Sequence, residues 1–149
     1  MTETDPEVMS GLGLLAYEAG DLELAKSWWQ KAVDLGNANG MRGLGDLAYD
    51  AEDKASAESW YQKSADLGNA DAMSGLGFLA YEAGDLELAK SWWQKSAELG
   101  NPDAMEGLGM LADEVVDVEL AKSWWQKSAD LGNQDAIDAL ARLNASQGL

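Results

Sequence analysis

The chain contains no cysteine and no histidine, only two prolines and one phenylalanine, and ten basic residues against 27 acidic ones. Each shortage removes a class of function. Without cysteine there is no disulfide framework, and with histidine missing too the usual zinc and copper ligand sets cannot be assembled, so no metal and no cofactor is expected. The same two absences remove the Ser–His and Cys–His pairs by which most nucleophilic enzymes activate their attacking group. A net charge of −17 and a pI near 4.1 repel phosphate, which argues against nucleic acid and anionic membranes as partners and favours basic ones. No apolar run approaches the roughly 18 residues of a membrane span. The opening MTETDPEV lacks the charged and apolar regions of a signal peptide, so the chain reads as cytoplasmic.

What is present is one unit several times over. Blocks beginning at Met9, Met41, Met73 and Met105 recur every 32 residues, and the first and third, MSGLGLLAYEAGDLELAKSWWQKAVDLGNANG and MSGLGFLAYEAGDLELAKSWWQKSAELGNPDA, agree at 25 of 32 positions. A period in this range signals a solenoid, whose units bury their apolar faces only by stacking on neighbours. Within a block, Gly20 is placed to end one helix in the left-handed conformation, Asp21 to cap the next, and Gly36 to end that. Helix A is therefore expected from about Glu7 to Ala19 and helix B from about Leu22 to Leu35. Glu52 and Val116 stand where the other blocks have Gly20 and Gly84, so those turns must change geometry or carry strain on the order of 1 kcal/mol. The expected fold is an all-α solenoid of four helix–turn–helix repeats over residues 9–40, 41–72, 73–104 and 105–136. A lead-in at 1–8 and a C-terminal capping helix at 137–149 complete one repeat domain spanning 1–149.

All seven tryptophans lie in SWWQK or SWYQK, at Ser27–Lys31, Ser59–Lys63, Ser91–Lys95 and Ser123–Lys127. On a helical wheel centred on Ala25, Leu22, Trp28, Trp29, Ala32 and Val33 share an arc of roughly 140°. Both rings are expected to point inward, large against the small Gly13, Ala16 and Ala25. An exposed stacking platform, by contrast, would hold its bases among like-charged carboxylates.

Leu12 and Gly13, Tyr17, Gly20, Ala25, Trp28, Trp29 and Ala32, recurring in register from about Pro6 to Asn144, resemble the Sel-one-like repeat of the tetratricopeptide superfamily. Two features depart from the superfamily pattern: the turn between helices is short for a Sel-one-like unit, and Met9 and its equivalents occupy the first core position of helix A, where tetratricopeptide units often carry Trp. The resemblance implies a right-handed solenoid, and the missing catalytic groups lead to the expectation of no enzymatic activity. The resemblance also implies that one face of the A helices lines a concave groove where superfamily members hold peptides, with IDALARLNASQ resembling the closing helix of such arrays.

The near-identical blocks expose where they differ. Relative to Leu14, the helix A core set Val8, Met9, Leu12, Leu15, Ala16 and Ala19 lies on the opposite side, so the column Leu14, Asp46, Phe78, Met110 and Arg142 faces away from the core. It is the most variable column in the array. Beside it run Ser10, Arg42, Ser74 and Glu106, then Tyr17, Tyr49, Tyr81 and Asp113. These thirteen residues are the candidate groove for a protein or peptide of basic and apolar character. The competing readings are drift after duplication, tyrosines that pack between repeats, and a self-associating adapter, monomer or weak homo-oligomer, with no groove ligand. A basic clamp on a C-terminal carboxylate does not fit, since Arg42 and Arg142 are the only cations in these columns. Carboxylate pairs such as Glu18 with Asp21 fall at helix ends, where capping accounts for them, and the GLG glycines sit inside a helix rather than in a phosphate loop.

Overall fold

The computed structural model describes Thr2 and residues 4–148; Met1, Glu3 and Leu149, which fall in the expected lead-in and cap, lie outside the described residues. The described residues form nine α-helices of 13 residues each: α1 Pro6–Glu18, α2 Leu22–Asp34, α3 Ala38–Asp50, α4 Lys54–Asp66, α5 Ala70–Glu82, α6 Leu86–Glu98, α7 Pro102–Glu114, α8 Val118–Asp130 and α9 Gln134–Ser146. This is the all-α architecture of paired helices that the 32-residue period predicts. The A helices and the final helix start about three residues before the methionine or isoleucine that opens each sequence block, because a capping side chain sets the start and not the first core residue. Asp5, Asn37, Asn69, Asn101 and Asn133 each accept a backbone N–H from the first turn that follows. The same asparagines tie repeat to repeat: Asn37 donates to Glu7 at 2.6 Å, Asn69 to Asn39 at 2.8 Å and Asn133 to Asp103 at 2.8 Å.

The hairpin turns keep one geometry whatever residue occupies them. Gly20 and Gly84 have φ of 82° and 80°, and Glu52 and Val116 are held at 60°, with the same pair of backbone hydrogen bonds closing each of these two turns as closes the glycine turn at Gly20. Of the two alternatives, strain is the one adopted.

Two compact units divide the chain, Met1–Met73 and Ser74–Leu149. In the first, α1 packs on α2, α2 on α3, α3 on α4 and α1 on α3. Trp29 is the keystone, 1% exposed, with its Nε1 donating to the Ser10 carbonyl at 3.1 Å. It lies between two glycines: an added Cβ would come within 2.4 Å of the ring at Gly13 and 2.3 Å at Gly43. In the second unit α6 packs on α7, α7 on α8 and α8 on α9. Trp93 repeats the arrangement between Gly77 and Gly107, donating to the Ser74 carbonyl at 3.1 Å. Trp125 faces Gly109 within its own hairpin but clusters with Ala139 in α9, and its Nε1 finds no acceptor. Enclosing one such ring contributes roughly 4–6 kcal/mol of transfer free energy.

The inward orientation expected of both tryptophans holds for the second of each pair alone. Trp28, Trp60, Trp92 and Trp124 are half-buried, and Lys31, Lys63, Lys95 and Lys127 place their Nζ 4.6, 4.6, 4.7 and 4.6 Å from the ring centroids. Successive helical residues diverge by about 100°, so when the second ring is centred between two helices the first lies on the flank, where the lysine one turn on covers it. Three other expected core residues are also exposed. Leu22 is 46% exposed, Ala19 sits past the last turn of α1, and Leu15 is 63% exposed because no helix among the described residues covers that side of α1.

Candidate interaction site

Each of the thirteen candidate groove residues is placed by an A helix or by α9, and they separate into three kinds. Ser10 and Ser74, at 7% and 9% exposure, are buried and offer no surface to a partner; their carbonyls are spent on Trp29 and Trp93. Leu14 and Phe78 stand apart from all three kinds, exposed at 38% and 42%, as a column facing away from the core requires.

The second kind is engaged in internal polar contacts. Tyr17 lies with its ring centroid 5.6 Å from that of Trp29 and donates its hydroxyl to Asp50. That hydrogen bond, reinforced by burial and the negative charge of Asp50, pushes the phenol pKa up to about 12. Tyr81 repeats the contact with Glu114, and its pKa is raised for the same first cause. Tyr49 is half-buried. Arg42 and Asp46 form an ion pair at 2.7 Å, and Tyr61 donates to the other Asp46 oxygen at 2.7 Å. Burial raises the Asp46 pKa, a rise opposed by the Arg42 charge and the Tyr61 hydroxyl. Burial raises that of Tyr61 as well, with the Asp46 charge adding to it. Part of the column variability is therefore one concerted exchange. Where the first repeat has Ser10, Leu14 and Trp29, the second has Arg42, Asp46 and Tyr61, and the smaller phenol trades the indole-to-carbonyl bond for a carboxylate held by an arginine. Tyr61 is the participant that sequence reasoning missed, although the single SWYQK among three SWWQK marked it.

The third kind meets in the second unit. Tyr81, Glu106, Met110, Asp113 and Arg142 converge with Glu114, Trp125, Ala139, Leu143 and Ser146 around a cleft of about 420 Å³ between α5, α7, α8 and α9. Its lining combines the carboxylates of Glu106, Asp113 and Glu114 with the apolar side chains of Met110, Trp125, Ala139 and Leu143, and Arg142 is the one cation lining it. Burial first, then the neighbouring Asp135 and Asp103, push the Glu106 pKa up to about 7, while Arg142 acts in the opposite sense. Glu114 and Leu143 were legible only once Tyr81 was seen to reach the next A helix and α9 to start at Gln134. Among the described residues no group of three or more His, Cys, Asp or Glu is arranged to hold a metal ion, and no helix is long and apolar enough to cross a membrane.

Stacked helical hairpins with an acidic, apolar-floored cleft on the A-helix side define a repeat solenoid of the tetratricopeptide-like class. The Sel1 repeat matches residues 6–37, 40–69, 70–101 and 102–133, and the chain belongs to the Sel1 repeat family. Among solved structures it is similar to a protective antigen of uropathogenic Escherichia coli strains displaying an SLR fold, at 26% identity and a TM-score of 0.77 over 95% of this chain and 34% of that one. It is similar to a Sel1 repeat protein from Oxalobacter formigenes, at 25% identity and a TM-score of 0.76 over 97% of this chain and 64% of that one. The pilF protein of Pseudomonas aeruginosa shares the fold, at 22% identity and a TM-score of 0.76 over 95% of this chain and 68% of that one. The chain thus spans about a third of the first relative and under two thirds of the second. No curated protein matches it in sequence. Sel1 and tetratricopeptide-like folds serve in general as scaffolds for protein–protein interaction.

Proposed function

We propose that the chain is a non-enzymatic interaction module whose A-helix face takes a protein or peptide segment of basic and apolar character. The observation that carries this reading is the cleft of the second unit, where Glu106, Asp113 and Glu114 surround Met110 and Leu143. A lysine or arginine of the partner would meet the carboxylates while its alkyl stem, or a neighbouring apolar anchor, lies on Met110. The net charge of −17 draws such a segment in and repels acidic competitors.

Selection from a random peptide library displayed on phage tests this reading. Enriched sequences should combine basic residues with spaced apolar anchors, and their association should slow as salt rises, because screening weakens steering first. Met110→Glu or Asp113→Lys should reduce affinity by about 2 kcal/mol, roughly 30-fold, as for other central anchors. Enrichment of acidic sequences, or affinities indifferent to both substitutions, would refute the assignment.

A further inference from the structure

The charged groups of the second repeat are paired with one another, and those of the fourth are not. Arg42 holds Asp46, and Asp46 also accepts the Tyr61 hydroxyl. In the fourth repeat the same positions carry Glu106, Met110 and Trp125, with Arg142 of α9 lining the cleft beside them. Among the described residues neither Glu106 nor Arg142 makes a hydrogen bond or an ion pair. Trp125 is only 6% exposed, yet its indole N–H has no acceptor. That edge of the ring lies against Gly109, one turn along α7 from Glu106, where an added Cβ would come within 2.4 Å of it.

The fold asks only for a main-chain carbonyl at the position of Glu106. Its equivalents are Ser10, Arg42 and Ser74, and the two serines are used through their carbonyls. The fourth repeat alone places a carboxyl there, half-buried and facing the cleft. The charged and titratable groups around it are Asp103 on its own helix, Asp135 and Arg142 on α9 and Tyr81 on α5. Asp113 and Glu114 complete the acidic lining, to which α8 adds only the neutral Trp125. Burial first, and then the neighbouring carboxylates, make Glu106 hold its proton up to about pH 7.

Within the reading of the cleft given above, on which this rests, we propose that Glu106 is the seat of the partner's cationic side chain and gives up its proton to receive it. The O–H bond of the carboxyl breaks, the proton passes to solvent, and the carboxylate left behind pairs with the incoming ammonium or guanidinium. The other two carboxylates of the lining are less suited. Glu114 already accepts the Tyr81 hydroxyl, and Asp113 is exposed, where an ion pair contributes little. A cation favours the ionised form of Glu106, so affinity is low while the proton is held and rises as pH passes through about 7. The cleft takes its segment at neutral pH and releases it in mild acid.

The probe is the capped peptide acetyl-KAKLAK-amide, whose lysines titrate near about pH 10.4 and contribute nothing near neutrality. Calorimetric titration of the whole 149-residue chain, in buffers of different ionisation enthalpy, counts the protons exchanged on binding. About half a proton should be released per peptide at pH 7, and affinity should be roughly tenfold higher at pH 8 than at pH 6, as one group with a pKa of about 7 requires. Glu106→Gln should abolish the release and flatten the pH dependence. Glu106→Ser, which restores the residue of the first and third repeats, should do the same. Arg142→Gln should move the midpoint to higher pH, because the arginine charge favours ionised Glu106. Binding that Met110→Glu weakens but that releases no proton, or a release that survives Glu106→Ser, would overturn this assignment and leave the wider reading of the cleft standing. Absence of saturable binding, or binding that Met110→Glu leaves untouched, would remove both.

Discussion

Val116→Gly should stabilise the protein, although it removes a side chain. Val116 occupies the left-handed turn between α7 and α8 at φ 60°, where Gly20 and Gly84 serve the equivalent turns, and it is 79% exposed. An L-residue in that conformation is strained by roughly 1–2 kcal/mol, and β-branching places valine toward the upper end. Glycine relieves this strain, but its freer unfolded chain costs about 0.5–1 kcal/mol, and little burial is lost because most of the side chain faces water. The net expectation is a gain of about 0.5–1 kcal/mol, measurable as a higher urea midpoint with an unchanged slope. Val116→Ala retains Cβ and should recover only the part of the strain due to branching. Gly20→Ala, the reverse experiment in the first hairpin, should destabilise by about 1 kcal/mol. A lower midpoint for Val116→Gly, or a Gly20→Ala variant as stable as the parent, would show that these turns store no strain and refute the reasoning.

The two tryptophans of each pair should respond unequally: Trp29→Ala should destabilise by roughly 3–5 kcal/mol in thermal unfolding and Trp28→Ala by about 1 kcal/mol, and equal losses would contradict the clasped and flanking roles. Asp46→Leu strands Arg42 and the Tyr61 hydroxyl and should reduce stability by about 2–3 kcal/mol, whereas adding Arg42→Ser and Tyr61→Trp rebuilds the combination of the first repeat and should restore it; a triple variant less stable than the single one would disprove the concerted exchange. Glu106 has its pKa raised on folding from 4.5 to about 7. The native state therefore keeps a proton that the unfolded chain releases, and the stability from this group is complete below pH 4.5 and lost as pH rises through 7. Glu106→Gln should flatten that dependence and raise stability at pH 8 by roughly 1–2 kcal/mol after allowance for solvent screening, and an unaltered profile in urea unfolding would place the titration elsewhere.

The paired-helix repeat was legible because its period, its glycine stops and its aspartate caps all recur in register. The A-helix starts were less so: a pattern anchored on Met9 locates the first core residue, while the helix begins where Asp5 or Asn37 can reach a free N–H. The inward placement of both tryptophans overreached because a helical wheel treats the core as a broad arc. A ring clasped between two glycines claims a narrow slot, and its neighbour is left to the flank. The helical wheel set Leu14 and Phe78 on the side away from the core, where they are exposed, and column variability offered them for recognition. It could not separate recognition from compensation, because Arg42, Asp46 and Tyr61 are coupled across two helices and only coordinates show that they touch. Ser10 and Ser74 were misplaced for a related reason: what matters at that position is the carbonyl offered to an indole, which no side-chain pattern reports. The cleft of the second unit needed α9 in place before Arg142 and Leu143 could be set against Met110.

The glycine clasp also bears on how the protein would yield to mechanical force. Trp29 is held by α1 on one side and α3 on the other, so it belongs to the first hairpin and to its junction with the second at once; Trp93 does the same for α5 and α7. Peeling α1 away under tension would strip one side of the ring and withdraw the partner against which α3 is seated. The rupture would then run on into the next hairpin instead of stopping at a repeat boundary. A chain assembled from separable modules would lengthen in 32-residue steps when pulled; one riveted at shared tryptophans should give way in larger ones.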